Sequence, residues 1–256
     1  MAVEIEVTDD PARACAAILV GAAAAGEDIV LTGGSTPRRA YEEFVSAVQS
    51  VGVDVAGARF WFGDERCVGP DDERSNYGMA REALFSRLGG ELEVHRMKGE
   101  LGPEEGAADY ERQLERAGVS EFELLLLGIG PDGHTASLFP DQPAVHERTR
   151  LVVPVPEAGL EPFVPRISFT FAAVARARKV VVLATGEQKA KAVAAAFGGA
   201  AAEPGAGGPA GPGDGGGAVA GDPHVPASFL PVVARDLVVL VDPPAAQGLS
   251  GRAGIS

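Results

Sequence analysis

Residues 124–140 read LLLLGIGPDGHTASLFP, and the fold is decided there. The consecutive leucines Leu124, Leu125, Leu126 and Leu127 have the character of a strand covered on both faces. The chain then breaks into a turn carrying Gly128, Gly130 and Gly133. Glycine there permits positive φ and a close approach of backbone to ligand. The turn presents Asp132 and His134 side by side, and Thr135, Ala136 and Ser137 follow as residues suited to opening a new element. A strand ending in such a turn delivers its side chains to the carboxyl edge of a parallel sheet, where open α/β folds bind ligands. An imidazole beside a carboxylate at that edge suits general acid–base chemistry, because imidazole changes charge near neutral pH.

Outward from this stretch, strands and helices alternate. Residues 28–31 form a short strand leading into Gly33, Gly34, Ser35 and Thr36, and Pro37 sits where a first helical turn tolerates proline. Tyr41, Phe44, Val45 and Val48 are spaced as one helical face. Residues 59–62 form the next strand, and Ser75 is placed to cap a helix with Met79, Ala83 and Leu84 inward. A weaker strand at 92–95 and an amphipathic helix at 103–117 precede the leucine strand. Strands at 151–155, 167–171, 180–184 and 236–241 and a helix at 186–197 complete the pattern. Such alternation predicts a mostly parallel open sheet with helices on both faces, Rossmann-like. The segments around Leu151 and Ile167 fit a small antiparallel flap.

The chain is expected to form a single domain over residues 1–256, with a flexible Gly/Pro/Ala-rich insertion at 198–223. The insertion lacks the strand before and helix after that a phosphate-cradling loop needs, so it is not expected to be a site. A net charge of −14 argues against nucleic acid as a partner, though a few local cations can still hold one phosphate. Of the 22 basic residues only Lys98, Lys179, Lys189 and Lys191 are lysine. Cys15 and Cys67 cannot by themselves build a Cys-rich zinc site or a disulfide scaffold. Residues 14–25 are apolar, but Glu4, Glu6, Asp9 and Asp10 precede them where a signal peptide would carry positive charge. No stretch approaches the ~20 apolar residues of a membrane span, so a cytoplasmic address and no membrane partner are expected. His95, His146 and His224 share no ligand spacing with His134, so neither metal nor cofactor is expected. No GxSxG surrounds Ser137, which is therefore not expected to be a nucleophile.

GIGPDGHTASLFP resembles the signature of the 6-phosphogluconolactonase family, whose fold is shared with glucosamine-6-phosphate deaminase. LTGGSTP at 31–37, GDERCV at 63–68 with Ser75, Asn76 and Tyr77, PRISFT at 165–170 and GEQKA at 186–190 are similar to the family's other blocks, in the same order. The resemblance runs from about Val3 to Pro243.

It implies hydrolysis of 6-phosphogluconolactone to 6-phosphogluconate in the oxidative branch of the pentose phosphate pathway. The partner is then a phosphorylated sugar lactone, met by a monomer or a small homo-oligomer. His134 is implied as the base that activates water, with Asp132 orienting it and backbone N–H groups of the glycine turn stabilising the oxyanion. Arg166 and Lys189, which alone would read as solvated charges, are implied near the phosphate. Asp64 is implied to hold sugar hydroxyls and Arg66 to add positive charge beside them, with Gly133 lining the substrate. Gly34, Ser35 and Thr36 fit an anion at a helix N-terminus, and equally a tight strand-to-helix turn with a hydroxyl cap. Two other functions compete. The deaminase branch reads DGHIAFNEP, with a glutamate where this chain has Phe139 and a tyrosine in place of Arg66. A non-catalytic sugar-phosphate sensor would carry a DNA-binding segment, and none precedes Val3.

Overall fold

The computed structural model describes residues 2–199 and 221–249. The chain opens with β1 (Ala2–Val7), α1 (Pro11–Ala24), β2 (Asp28–Leu31), α2 (Ser35–Val51), β3 (Arg59–Phe62) and β4 (Asp64–Arg66). Next come α3 (Asn76–Ala80), α4 (Ser86–Leu88), β5 (Glu93–Val94), α5 (Pro103–Arg116) and β6 (Phe122–Gly128). β7 (Val152–Val155), β8 (Arg166–Phe169), α6 (Phe171–Val174) and β9 (Ala177–Ala184) follow. The order closes with α7 (Ala190–Phe197), α8 (Leu230–Val233) and β10 (Asp236–Val241).

Seven strands form one parallel sheet in the order β1-β10-β9-β6-β2-β3-β5. All four residues of β2 are buried, as is Val180 through Ala184 in β9. Consecutive burial of that kind requires cover on both faces of the sheet. α1 and α2 pack on each other, and Tyr41, Phe44, Val45 and Val48 enter the core as their spacing predicts. Ser75 caps α3, accepting the N–H of Gly78, while Met79 is only partly buried beside the buried Ala83 and Leu84. A π-helical turn at Arg81–Phe85 joins α3 to α4 and rotates that face.

The order of strands reverses between β2 and β6. From β2 the chain proceeds outward to β3 and β5, and from β6 it proceeds the other way to β9 and β10. Loops leaving the carboxyl ends of β2 and β6 therefore diverge and leave a crevice between them, the topological switch point of an open α/β sheet.

The structure departs from the sequence reading in several places. β1 is a further strand, paired in parallel with β10, beyond those that the sequence pattern predicts. The flap has three strands, in the order β4-β8-β7, because Asp64–Arg66 leaves the main sheet after Gly63 and pairs antiparallel with β8. Thr135, Ala136 and Ser137 open no new element. They form a tight turn closed by the Leu138 N–H on the Thr135 carbonyl at 2.9 Å, with Ala136 at φ 49. The helix expected from residue 186 begins as a 3-10 turn, Glu187–Lys189, before α7. Of the insertion expected at 198–223, residues 200–220 lie outside the described residues.

Candidate active site

A cavity of about 220 Å³ lies at the switch point. Thr32, Gly33 and Gly34 after β2 line one side, and Gly128 at the end of β6 with Gly130, His134, Ala136 and Ser137 beyond it line another. Asp64 and Arg66 from β4, Arg166 from β8, Asn76, Lys189 and residues 160–161 close the remainder.

His134 is held from behind. Its Nδ1 lies 2.6 Å from Asp132 Oδ1, and its backbone N–H donates to the same oxygen at 3.2 Å. A carboxylate only accepts, so the proton resides on Nδ1 and Nε2 is the nitrogen left to take another. Burial pushes the Asp132 carboxyl up, but the hydrogen bond and charge of His134, with local backbone N–H groups, outweigh it and hold the group below its usual range. The imidazole lies against Gly130, where a Cβ would stand 2.0 Å from Nδ1. Glycine is therefore required there by contact. Gly133, at φ +86, turns away from the cavity and its carbonyl accepts the Ala227 N–H at 2.9 Å. Neither Asp132 nor Gly133 lines the cavity.

The glycine turn spends its own donors. Gly130 N–H bonds the His134 carbonyl and Gly133 N–H bonds the Gly130 carbonyl, so these two amides are unavailable to an oxyanion, contrary to the sequence expectation.

Three cations converge on the cavity although the chain is strongly acidic. Arg66 and Arg166 stand directly opposite one another in the β4–β8 register. Like charges in that position repel, unless an anion sits between or beside them. Arg66 Nη1 donates to the Arg74 carbonyl at 2.5 Å, and its Nε is buried with no hydrogen-bond partner among the described residues. Arg166 donates from Nε to the Val164 carbonyl at 3.0 Å and from Nη2 to the Pro162 carbonyl at 2.7 Å. It therefore braces the 160–164 loop as well as facing the cavity. Burial, then the neighbouring Arg66, lowers the Arg166 pKa from its ordinary value. Lys189 is likewise lowered by burial, with Asp132 opposing the shift.

Asp64 is 6% exposed and has both oxygens partnered: Ser137 Oγ donates to Oδ2 at 2.7 Å and Asn76 Nδ2 to Oδ1 at 3.1 Å. Strand alternation turns Glu65 the other way. Its carboxylate accepts the N–H groups of Arg66, Asn76 and Tyr77 and the Ser75 hydroxyl, anchoring the start of α3. A Cβ on Gly33 would fall 1.9 Å from Asn76 Oδ1, which explains glycine there.

Ser35 and Thr36 do not reach the cavity. They line a neighbouring surface depression, and Thr36 Oγ1 shares a 2.7 Å hydrogen bond with Thr185 Oγ1. The turn at Gly34, φ 115, brings backbone rather than these hydroxyls to the crevice. Burial and then Glu65 push the Cys67 thiol up to about 12, which disfavours the thiolate a nucleophile would need. Among the described residues no group of three or more His, Cys, Asp and Glu side chains is placed to hold a metal. No described helix is long and apolar enough to cross a membrane.

Fold and cavity together define a doubly wound α/β protein with a cation-lined cavity at its switch point. The chain belongs to the family described as glucosamine-6-phosphate isomerases/6-phosphogluconolactonase, whose pattern residues 6–211 match. It is 40% identical over 200 residues to the 6-phosphogluconolactonase of Mycobacterium bovis, covering 73% of this chain and 80% of that one. The human 6-phosphogluconolactonase is 40% identical over 166 residues, 62% of this chain and just under two thirds, 64%, of the human one. Among solved structures, the 6-phosphogluconolactonase of Trypanosoma brucei superposes with a TM-score of 0.76 at 26% identity, over 97% of this chain and 99% of that one.

Proposed function

We propose that this chain opens the δ-lactone of 6-phosphogluconolactone to 6-phosphogluconate in the pentose phosphate pathway, with His134 as general base. The observation that carries the mechanism is the His134–Asp132 pair, which leaves Nε2 free beside a cationic cavity. Nε2 takes a proton from water as the water oxygen bonds to the lactone carbonyl carbon. Charge accumulates on the carbonyl oxygen, and Asp132 stabilises the imidazolium. Collapse re-forms the carbonyl and breaks the ester bond to the ring oxygen, which receives the proton from Nε2. The new carboxylic acid then loses its proton to solvent.

Arg66, Lys189 and the unused edge of Arg166 hold the phosphate, because guanidinium and ammonium groups give charge-assisted bonds to its oxygens. Asp64 accepts from sugar hydroxyls, and Gly34 contributes backbone. The step needs neither metal nor redox cofactor, and its partner is a free small molecule rather than nucleic acid. A cytoplasmic address accords with free thiols at Cys15 and Cys67. Deaminase chemistry is disfavoured by Phe139, which is buried against the imidazole with ring centroids 4.8 Å apart. The position offers an apolar ring where a carboxylate would be needed. Measuring hydrolysis of 6-phosphogluconolactone above its spontaneous rate, with and without chelator, tests the reading. A rate no faster than the blank refutes it.

A further inference from the structure

We propose that Ser137 is a positioning residue that aims Asp64 into the cavity and locks the flap sheet to the His134 turn. The inference rests on the lactonase reading for its substrate, and on the structure for its geometry. Ser137 is 1% exposed and uses its two donors on two different groups. Its hydroxyl donates to Asp64 Oδ2 at 2.7 Å, and its N–H donates to Ser168 Oγ at 3.1 Å. Asp64 and Ser168 are themselves direct cross-strand partners in the β4–β8 pair. One residue of the catalytic loop therefore clips onto both members of a single rung of the flap.

Ser137 is also held from its own side. Thr135 Oγ1 donates to the Gly128 carbonyl at 3.0 Å, and the Leu138 N–H closes the turn on Thr135. Ala136 is thereby kept at φ 49, a region an alanine occupies only when its surroundings impose it. The distance between His134 and Asp64 is set by this short, doubly anchored path.

A desolvated carboxylate needs donors, and a flexible one does not point at a substrate reliably. Asn76 supplies one Asp64 oxygen and Ser137 the other. Each oxygen keeps a lone pair, so Asp64 can still accept from sugar hydroxyls. The Ser137 hydroxyl has a carboxylate as its acceptor, with no imidazole taking its proton, so it is not set up to attack the lactone.

The test is a double-substitution cycle on the full chain: wild type, Ser137→Ala, Asp64→Ala and the pair. Turnover of 6-phosphogluconolactone, binding of 6-phosphogluconate and inhibition by inorganic phosphate are measured for each. Ser137→Ala should lower kcat/KM by about 10- to 100-fold, the scale of a hydrogen bond to a charged group. In the Asp64→Ala background, where no acceptor remains for its hydroxyl, it should add almost nothing, because it acts through that carboxylate. Inhibition by inorganic phosphate should stay unchanged, since phosphate contacts the cations and not Asp64. Ser137→Cys keeps nearly the same volume with a weak donor, and carries the same test if the alanine variant does not fold. Additive losses, weakened phosphate inhibition or an undiminished kcat/KM would each overturn the assignment. Wild-type turnover alone decides the lactonase reading. The cycle on 6-phosphogluconate binding decides Ser137 separately.

Discussion

Replacing Asp132 by asparagine keeps an oxygen acceptor for the imidazole N–H and removes only the charge. In the structure Asp132 Oδ1 lies 2.6 Å from His134 Nδ1, with side-chain exposures of 29% and 19%. A hydrogen bond to a charged group contributes about 1.5–3 kcal/mol. The Coulomb energy of such a pair at ~4 Å runs from about 1 kcal/mol in water to about 4 kcal/mol at an effective dielectric of ~20. In the proposed mechanism the imidazolium forms as water gives up its proton, so this energy enters the transition state and not substrate binding. At about 1.4 kcal/mol per decade, Asp132→Asn should lower kcat by roughly 10- to 150-fold with KM little changed. The assay follows 6-phosphogluconate formation after subtraction of spontaneous hydrolysis. A folded Asp132→Asn protein at wild-type turnover would refute the role given to this pair. Stability supplies an independent check. The folded Asp132 carboxyl titrates below its usual range, so on acidification the unfolded chain takes up the proton first. Its contribution is complete above about pH 4, the unfolded pKa, and is lost as pH falls through the folded value. Urea unfolding of wild type and Asp132→Asn should therefore differ most above about pH 4 and converge in stronger acid.

His134→Ala should lower turnover by roughly 10²–10⁴-fold while 6-phosphogluconate still binds, as followed by calorimetry; near-normal turnover in a folded variant would remove it as the base. Arg66→Ala and Lys189→Ala should raise KM for the phosphorylated lactone and spare unphosphorylated gluconolactone, whereas Arg166→Ala, which also frees the 160–164 loop, should impair both. Equal losses on both substrates for Lys189→Ala would assign that lysine elsewhere. Glu65→Ala removes the acceptor of four hydrogen bonds, two of them buried, and should cost about 2–6 kcal/mol in urea unfolding, about 1–3 kcal/mol for each buried donor left unpaired.

The alternation of strands and helices, the leucine strand and the turn carrying Asp132 and His134 were legible because hydrophobic period and glycine are local signals. The three-residue strand of the flap was too short to show a period. Had Asp64–Arg66 been read as a strand, alternation alone would have placed Asp64 and Arg66 on one face and Glu65 on the other. The facing of Arg66 and Arg166 depends on register between segments a hundred residues apart, which no local pattern carries. Asn76 and Ser137 escaped for a related reason. One sits behind a helix cap and the other in a turn, and each gains its meaning only from Asp64. Ser35 and Thr36 mark the reverse case. Their strand-to-helix turn was correctly located, but the direction of each hydroxyl depends on Gly34 and on Thr185.

The pairing of β1 has a bearing on biosynthesis. This strand begins at residue 2, and its strand partner among the described residues is β10, with Ala2 opposite Asp236. As the chain leaves the ribosome, β1 is made well before β10 and has no native neighbour among the described strands until β10 is finished. Meanwhile β2, β3 and β6 can already assemble the middle of the sheet. The outer edge closes last, and only in a chain that has reached β10. A chain cut short before that point would keep the crevice loops of β2 and β6 yet leave β9 as an open edge, the kind of surface on which strands from other molecules add.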